Sequence, residues 1–222
     1  MNARGIVISN TITETAYERY LANLLAGDRT HCAQTVQDLV AAGTDLRALY
    51  VDLFQRSLYQ VGEMWEQQRI SVACEHLASA ITEHMMSLVQ PQAFAGRRER
   101  SIVIACVANE YHQLGARMIA DVCELRGWRG YFLGVATPLP DLLRAIEEHQ
   151  PQVLGLSLSI VLNLPILLAA IDAVTQKYPN LPILVGGQAF RWGGIEALRA
   201  YPKVCYAASI EELEQRLAAY EC

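Results

Sequence analysis

Two hydrophobic periods divide the chain. From residue 11 to residue 93 apolar positions recur at helical spacing, with almost no strand-like alternation. Four helices are predicted, over about 11–26, 29–42, 45–66 and 71–90. Gly43 ends the second, and Thr44 and Ser71 are the predicted N-caps of the third and fourth. Leu58, Val61 and Trp65 extend one apolar stripe along the third helix. Short loops between helices of this length predict an antiparallel four-helix bundle.

The second period begins after a break. Residues 94–100, within the run Pro91 to Arg100, combine glycine with a run of charge and read as a linker. From 101 onward, apolar runs at 101–107, 130–134, 153–158, 182–185 and 204–208 alternate with helical stretches at 113–126, 139–149, 164–178, 193–200 and 209–220. Five strands alternating with five helices predict an α/β fold, a doubly wound parallel sheet of the Rossmann or flavodoxin kind. Strand order 2-1-3-4-5 is expected, since it gathers the loops after strands 1, 3 and 4 around one crevice. The predicted domains are therefore a helical unit over 1–93, a linker over 94–100 and an α/β unit over 101–222.

Composition narrows this picture. The 222 residues carry a net charge of -5, which argues against nucleic-acid binding through a basic surface. No apolar run reaches the length of a membrane span, and the first residues lack the layout of a signal peptide. Six cysteines occur, none at C-x-x-C spacing, and they read as small apolar residues in a reducing cytoplasm.

The chemistry concentrates on His112. It follows the strand-like run Ser101 to Val107 directly, within Glu110-Tyr111-His112-Gln113-Leu114-Gly115. Open α/β sheets bind ligands at the carboxyl ends of their strands. An imidazole there, with Glu110 able to orient its second nitrogen, is built like a metal ligand with a supporting shell. Two further elements fall at the same sheet edge. Forty-one residues separate Gly115 from Ser157, in Leu154-Gly155-Leu156-Ser157-Leu158-Ser159, and 28 more separate Ser157 from Gly186-Gly187.

This order and both spacings resemble the cobalamin-binding signature of a histidine loop, a serine and a glycine pair. The resemblance implies base-off, histidine-on binding, with His112 taking cobalt from below and the displaced nucleotide tail threading into the domain. Gly115 would let the tail pass, Ser157 would donate to its base, and Gly186 and Gly187 would leave a floor without side chains. Two positions depart from the pattern. The usual acid is aspartate and here is Glu110, whose extra methylene allows a water between it and His112. The usual leucine two residues after the serine is Ser159.

The helical segment adds a second resemblance. Trp65 is followed, after nine residues, by Glu75-His76. This is similar to the Trp-x9-Glu-His signature of cobalamin-dependent light sensors, whose best-known members repress carotenoid synthesis. The resemblance implies that the helical unit caps the upper corrin face. Trp65, Glu75 and His76 would face the upper axial group, adenosylcobalamin being the favoured cofactor and methylcobalamin and hydroxocobalamin the alternatives. In those repressors a histidine follows the tryptophan and takes cobalt after photolysis. Here Glu66 stands there, and His84 lies two turns beyond His76.

The helical pattern begins near residue 11, and no DNA-binding segment is expected ahead of it. The expected function is thus a cytoplasmic, non-enzymatic sensor, probing light and acting on a separate protein partner such as a transcription regulator, with no direct contact to nucleic acid or membrane. A homo-oligomer is among the expected assemblies. The alternative is a corrinoid methyl carrier serving a methyltransferase, and haem binding through His112 is a third reading.

Overall fold

A computed structural model describes residues 12–90 and 100–220. The chain forms two compact units, Met1–Ala93 and Phe94–Cys222. The predicted linker, apart from Arg100, and Cys222 lie outside the described residues.

The first unit is helical. It comprises α1 (Glu14–Leu25), α2 (Arg29–Ala41), a third rod and α5 (Val72–Val89). Side chains close the exposed N–H groups at each start. Thr13 accepts from Ala16, Asp28 from His31 and Ser71 from Cys74. The third rod is capped by Asp45, which accepts from Ala48, and not by Thr44 as the sequence suggested. Aspartate's carboxylate sits one residue closer to the first turn. The core of the unit holds Tyr20, Leu24, Val36, Tyr50, Leu53, Phe54, Val61, Ile81 and Met85, all essentially inaccessible. Each such aliphatic side chain stabilises by roughly 1.5–3 kcal/mol relative to an exposed one.

The third rod corrects the prediction of one continuous α-helix. It runs as α3 (Leu46–Ala48), a π-helix (Leu49–Gln55) and α4 (Arg56–Glu66). Within α4 the buried positions are Ser57 and Val61. Arg56 lies at the surface, where it bonds both carboxylate oxygens of Glu14 at 2.8 and 2.7 Å and lies over the Tyr17 ring. Trp65, which the sequence placed on an apolar stripe, is 46% exposed.

The second unit is an α/β sandwich. Its elements are β1 (Arg100–Cys106), α6 (Leu114–Leu125), β2 (Trp128–Phe132), α7 (Leu139–His149), β3 (Val153–Ser157), α8 (Leu164–Lys177), β4 (Ile183–Gly186), α9 (Ile195–Leu198), β5 (Val204–Tyr206) and α10 (Ile210–Ala218). All strand pairs are parallel, in the order β2-β1-β3-β4-β5, as expected. Two elements are displaced from their predicted positions. β2 starts at Trp128, which pairs with Arg100 and is buried on the sheet, so the strand lies earlier than the apolar run suggested. The predicted helix at 193–200 contracts to α9, because Gly193 and Gly194 adopt positive φ just before it.

Strand alternation assigns the two faces. Val103, Ala105, Leu154, Leu156, Ile183 and Val185 pack with α7 and α8. Ile102, Ile104, Cys106, Val153 and Leu184 pack with α6 and α10.

Cys32, Cys106 and Cys123 are buried, and Cys74 and Cys205 are half-buried; all five are free thiols. Among the described residues no helix is long and apolar enough to cross a membrane.

Candidate functional site

The crevice is built by the loops that leave the carboxyl ends of β1 to β4. Glu110 is its centre. Its side chain is fully buried, yet every hydrogen bond it makes reaches a loop at this edge. One carboxylate oxygen, Oε1, accepts from the His112 backbone N–H at 3.0 Å and lies 2.6 Å from His112 Nδ1. The other, Oε2, accepts from the backbone N–H groups of Ser159 at 2.7 Å and Ile160 at 2.9 Å. Its own carbonyl accepts from the Ala136 N–H at 2.8 Å, in the loop after β2. Asn163 Nδ2 donates to the neighbouring Asn109 carbonyl at 3.1 Å.

Electrostatics fix the state of this group. Burial alone would push the Glu110 carboxyl up. The hydrogen bonds from the His112 side chain and backbone, and from the Ile160 and Ser159 N–H groups, outweigh it and hold the carboxyl at about 2. Glu110 is therefore an anion at neutral pH and can only accept. Nδ1 of His112 must be the donor, and in the neutral ring the lone pair sits on Nε2. The His112 side chain is 54% exposed, so this nitrogen is carried on an accessible ring. An accessible imidazole, held in one tautomer by a buried carboxylate, is a donor suited to a transition metal. The direct 2.6 Å contact corrects the expectation of an intervening water. The longer side chain is taken up by the reach across to Ser159 and Ile160.

A second feature lies under the α6 and α10 face of the sheet. Cys106, Ser157 and Gly186 are register partners across β1, β3 and β4. Cys106 faces α6 and α10, and alternation turns Ser157 and Gly186 to the same side. The last row of this face thus narrows from a thiol to a hydroxyl to a hydrogen. Gly155, on the same face one alternation earlier, is also without a side chain, and a Cβ there would press on Ile104 Cγ1 at 3.1 Å. A Cβ at Gly115, in the first turn of α6, would meet nothing within 4 Å. Small residues at the strand ends and an open helix start are what a ligand segment entering between α6 and the sheet would require, although a Cβ at Gly186 would already meet the Ala207 carbonyl oxygen at 3.3 Å. The donor set and this row fit cobalamin: a nitrogen ligand at the edge and a lane of minimal side chains beside it.

Gly187 carries a different constraint from the one its place in the motif suggested. Its φ is +116°, and a Cβ would overlap the Leu158 carbonyl oxygen and lie 2.7 Å from its carbon. The glycine is demanded by the chain's own backbone, where the loops after β3 and β4 cross.

Sequence reasoning missed the apolar rim. Tyr111, Val135, Ile160, Val161, Leu162 and Trp192 are exposed large apolar residues, and all stand in the loops after β1 to β4. Leu162 is 83% exposed. A one-residue pattern in a loop gives no periodic signal, so only the fold reveals that these positions share the sheet edge that bears His112.

Trp65, Glu75 and His76 belong to the helical unit, at the end of α4 and the first turn of α5. Glu75 Oε1 accepts from the Ser79 hydroxyl at 3.0 Å, and its Oε2 lies 3.6 Å from His76 Nε2. The His76 side chain is 75% exposed. All three side chains therefore offer surface and are not consumed by the bundle core. Among the described residues no group of three or more histidine, cysteine or acidic side chains is arranged to hold a metal ion. Any metal here would bring its remaining ligands with it, as a corrin does.

Known proteins carry the same organisation. The B12 binding domain model matches residues 100–220, and a second B12 binding domain model matches residues 16–90. The HTH-type transcriptional repressor CarH of Myxococcus xanthus is 31% identical over 181 residues, covering 80% of this chain and 59% of that protein. Trimethylamine corrinoid protein 1 of Methanosarcina acetivorans is 22% identical over 134 residues, covering 59% of this chain and 62% of that protein. The chain thus spans about three-fifths of the length of these curated relatives. In fold, the monomethylamine corrinoid protein of Methanosarcina barkeri superposes with a TM-score of 0.81 at 14% identity, over 94% of this chain and all of that one. The chain belongs to the B12-binding family, and cobalamin is its cofactor.

Proposed function

We propose that this protein is a cobalamin-binding sensor that responds to light and signals to a separate protein partner. The observation that carries the reading is the His112–Glu110 pair, which presents a half-exposed imidazole at the carboxyl edge of the sheet. His112 would ligate cobalt from below. Ser157 would donate to the base of the displaced tail, beside Gly186 and along the lane opened by Gly115. Gly187 would hold the crossing that shapes this lane, and Ser159 would anchor Glu110.

When bound, adenosylcobalamin supplies a weak, photolabile cobalt–carbon bond. The helical unit would recognise its upper group. Trp65 offers an exposed indole for an adenine, and Glu75 and His76 offer hydrogen-bond partners for its ribose. Loss of that group would leave Trp65 uncovered, and a changed helical surface is what a partner such as a transcription regulator, or a second copy of the chain, would read. Identity of 31% to CarH supports a regulatory role. The protein would act without catalysing a reaction and without touching nucleic acid itself.

A corrinoid methyl carrier is the second reading. The likeness to the monomethylamine corrinoid protein and to trimethylamine corrinoid protein 1 favours it. A methyl group has no use for an indole, a carboxylate and an imidazole, whereas an adenosyl group does. The deciding experiment is an absorption spectrum with adenosylcobalamin in darkness and after green light, followed by size-exclusion chromatography of both samples. A spectral change with altered assembly supports the sensor. Equal affinity for adenosylcobalamin and methylcobalamin with no light response supports the carrier.

A further inference from the structure

We propose that the groove between the ends of α2 and α5 seats the chain's own N-terminal run Ile6-Val7-Ile8. This goes beyond cofactor binding and does not depend on it.

The groove is lined by Val36, Gln37, Val40, Ala41, Leu88 and Val89, around a volume of about 240 Å³. Val36 and Val89 are each 1% exposed, whereas Leu88 stands 41% exposed beside them. Among the described residues no charged side chain lines it. An apolar cavity of roughly 150 Å³ takes a benzene molecule, so this groove has room for branched aliphatic side chains. Apolar walls of this kind gain by being covered.

Helix direction brings the start of α1 to the groove. α2 returns antiparallel to α1, with Cys32 Sγ 4.0 Å from the Tyr20 carbonyl oxygen. α5 starts beside the end of α1, where Cys74 Sγ lies 3.5 Å from the Leu25 carbonyl oxygen. Both helices pack on α1 and run back toward its first residue, Glu14. At 1.5 Å per residue, Leu88 stands about 21 Å beyond Cys74 and Ile12 about 20 Å before Leu25, so the two are level. Ala41, about 14 Å beyond Cys32, reaches the same level. Ile12 is 8% exposed, so the chain that enters α1 already lies against the bundle.

Residues 1–11 lie outside the described residues, and their sequence suits the groove. Gly5 to Thr13 carries no charge. Ile6, Val7, Ile8, Thr11 and Ile12 are β-branched and favour extended backbone. In an extended chain Ile6 and Ile8 share one face. From Ile12, four to six extended residues reach about 13–20 Å, more than the roughly 8–10 Å between neighbouring helix axes. A second copy of the chain is a poorer occupant. Six side chains offer far less surface than the roughly 800 Å² that each partner contributes to a stable interface.

The test uses the whole chain, with isoleucine, leucine and valine methyls labelled with 13C. Nuclear Overhauser effects are measured from the Ile6 and Ile8 δ1 methyls to those of Val40 and Leu88. They should be present in the parent, unchanged on dilution, and absent from spectra filtered for contacts between a labelled and an unlabelled copy. Absence of these effects in the parent overturns the proposal. Contacts found only between copies overturn it as well and assign the groove to a second molecule. Leu88→Gln puts an amide at an already exposed position. It should return the Ile6 and Ile8 methyl shifts to random-coil values and leave the Tyr20 and Leu24 amides unchanged. Ile6 and Ile8 shifts that stay in place refute the seat. The paired variant Ile6→Ser with Ile8→Ser should raise amide exchange at Leu88 and Val89 roughly threefold or more, again without change at Tyr20 and Leu24. Unchanged exchange at Leu88 and Val89 counts against the seat in the same way. A variant that disturbs Tyr20 or Leu24 is replaced by Val40→Ser, judged by the same methyl shifts.

Discussion

Gly187 crosses Leu158 so closely that a single added carbon at Gly187 would overlap the Leu158 carbonyl oxygen. The crossing is pinned on both sides. Leu158 N–H donates to the Gly186 carbonyl at 3.0 Å, and Ala189 N–H donates to the Leu158 carbonyl at 3.3 Å. A glycine in a cofactor signature is here a requirement of the fold before any ligand arrives.

Gly187→Ala should therefore destabilise the cofactor-free protein. Positive φ costs on the order of 1–3 kcal/mol and overpacking a further ~1–3 kcal/mol. Urea unfolding should show a loss of about 3 kcal/mol, with Gly115→Ala as the contrasting variant near zero. Equal stability of the two would contradict the crossing.

His112→Ala should abolish the spectral signature of histidine-on cobalamin and weaken retention, and it should also cost stability at neutral pH, because the buried Glu110 carboxylate loses the hydrogen bond from the His112 ring. Titration of both proteins with hydroxocobalamin, followed by absorption, reads this directly. A variant with the parent's spectrum and affinity would place the ligand elsewhere.

Acid should titrate Glu110 late. Its carboxyl is held at about 2, below the ordinary value of 4.5. A group lowered in the folded state gives stability that is complete above the unfolded value and lost as pH falls through the folded one. Parent protein should lose this contribution between about pH 4.5 and pH 2. Glu110→Gln should be less stable at pH 7 and should show a flatter acid limb over the same interval. Parallel acid limbs would mean that the carboxylate adds nothing to folding.

Trp65→Ala should cost well under 1 kcal/mol of stability, since surface substitutions away from special contacts usually stay within about 0.5 kcal/mol. In paired dark titrations it should reduce the preference for adenosylcobalamin over methylcobalamin. A large stability loss with an unchanged preference would return Trp65 to the bundle core.

Much of this was readable from residue patterns. The switch from a helical period to alternating apolar runs located the two units and the strand order. His112, Ser157 and Gly186 could be assigned to one edge because each follows a strand. The misses share a cause: they depend on phase or on neighbours distant in sequence. Nothing local in Leu49 to Gln55 announces a π turn. Glycine at 187 advertises that a side chain is intolerable, but not that the obstacle is Leu158. The reach of Glu110 to Ser159 and Ile160 spans two loops that no sequence window contains.

The parallel pairing has a consequence for the protein's resistance to proteolysis. Cys106 and Ser157 are register partners 51 residues apart, so the edge that bears His112 has no counterpart in any unfolded fragment. Contacts of that range close late and at an entropic cost. A cofactor that binds only the finished sheet would, at a hundredfold excess over its dissociation constant, add about 2.7 kcal/mol to stability. Proteolysis of the purified chain should accordingly slow as cobalamin is added.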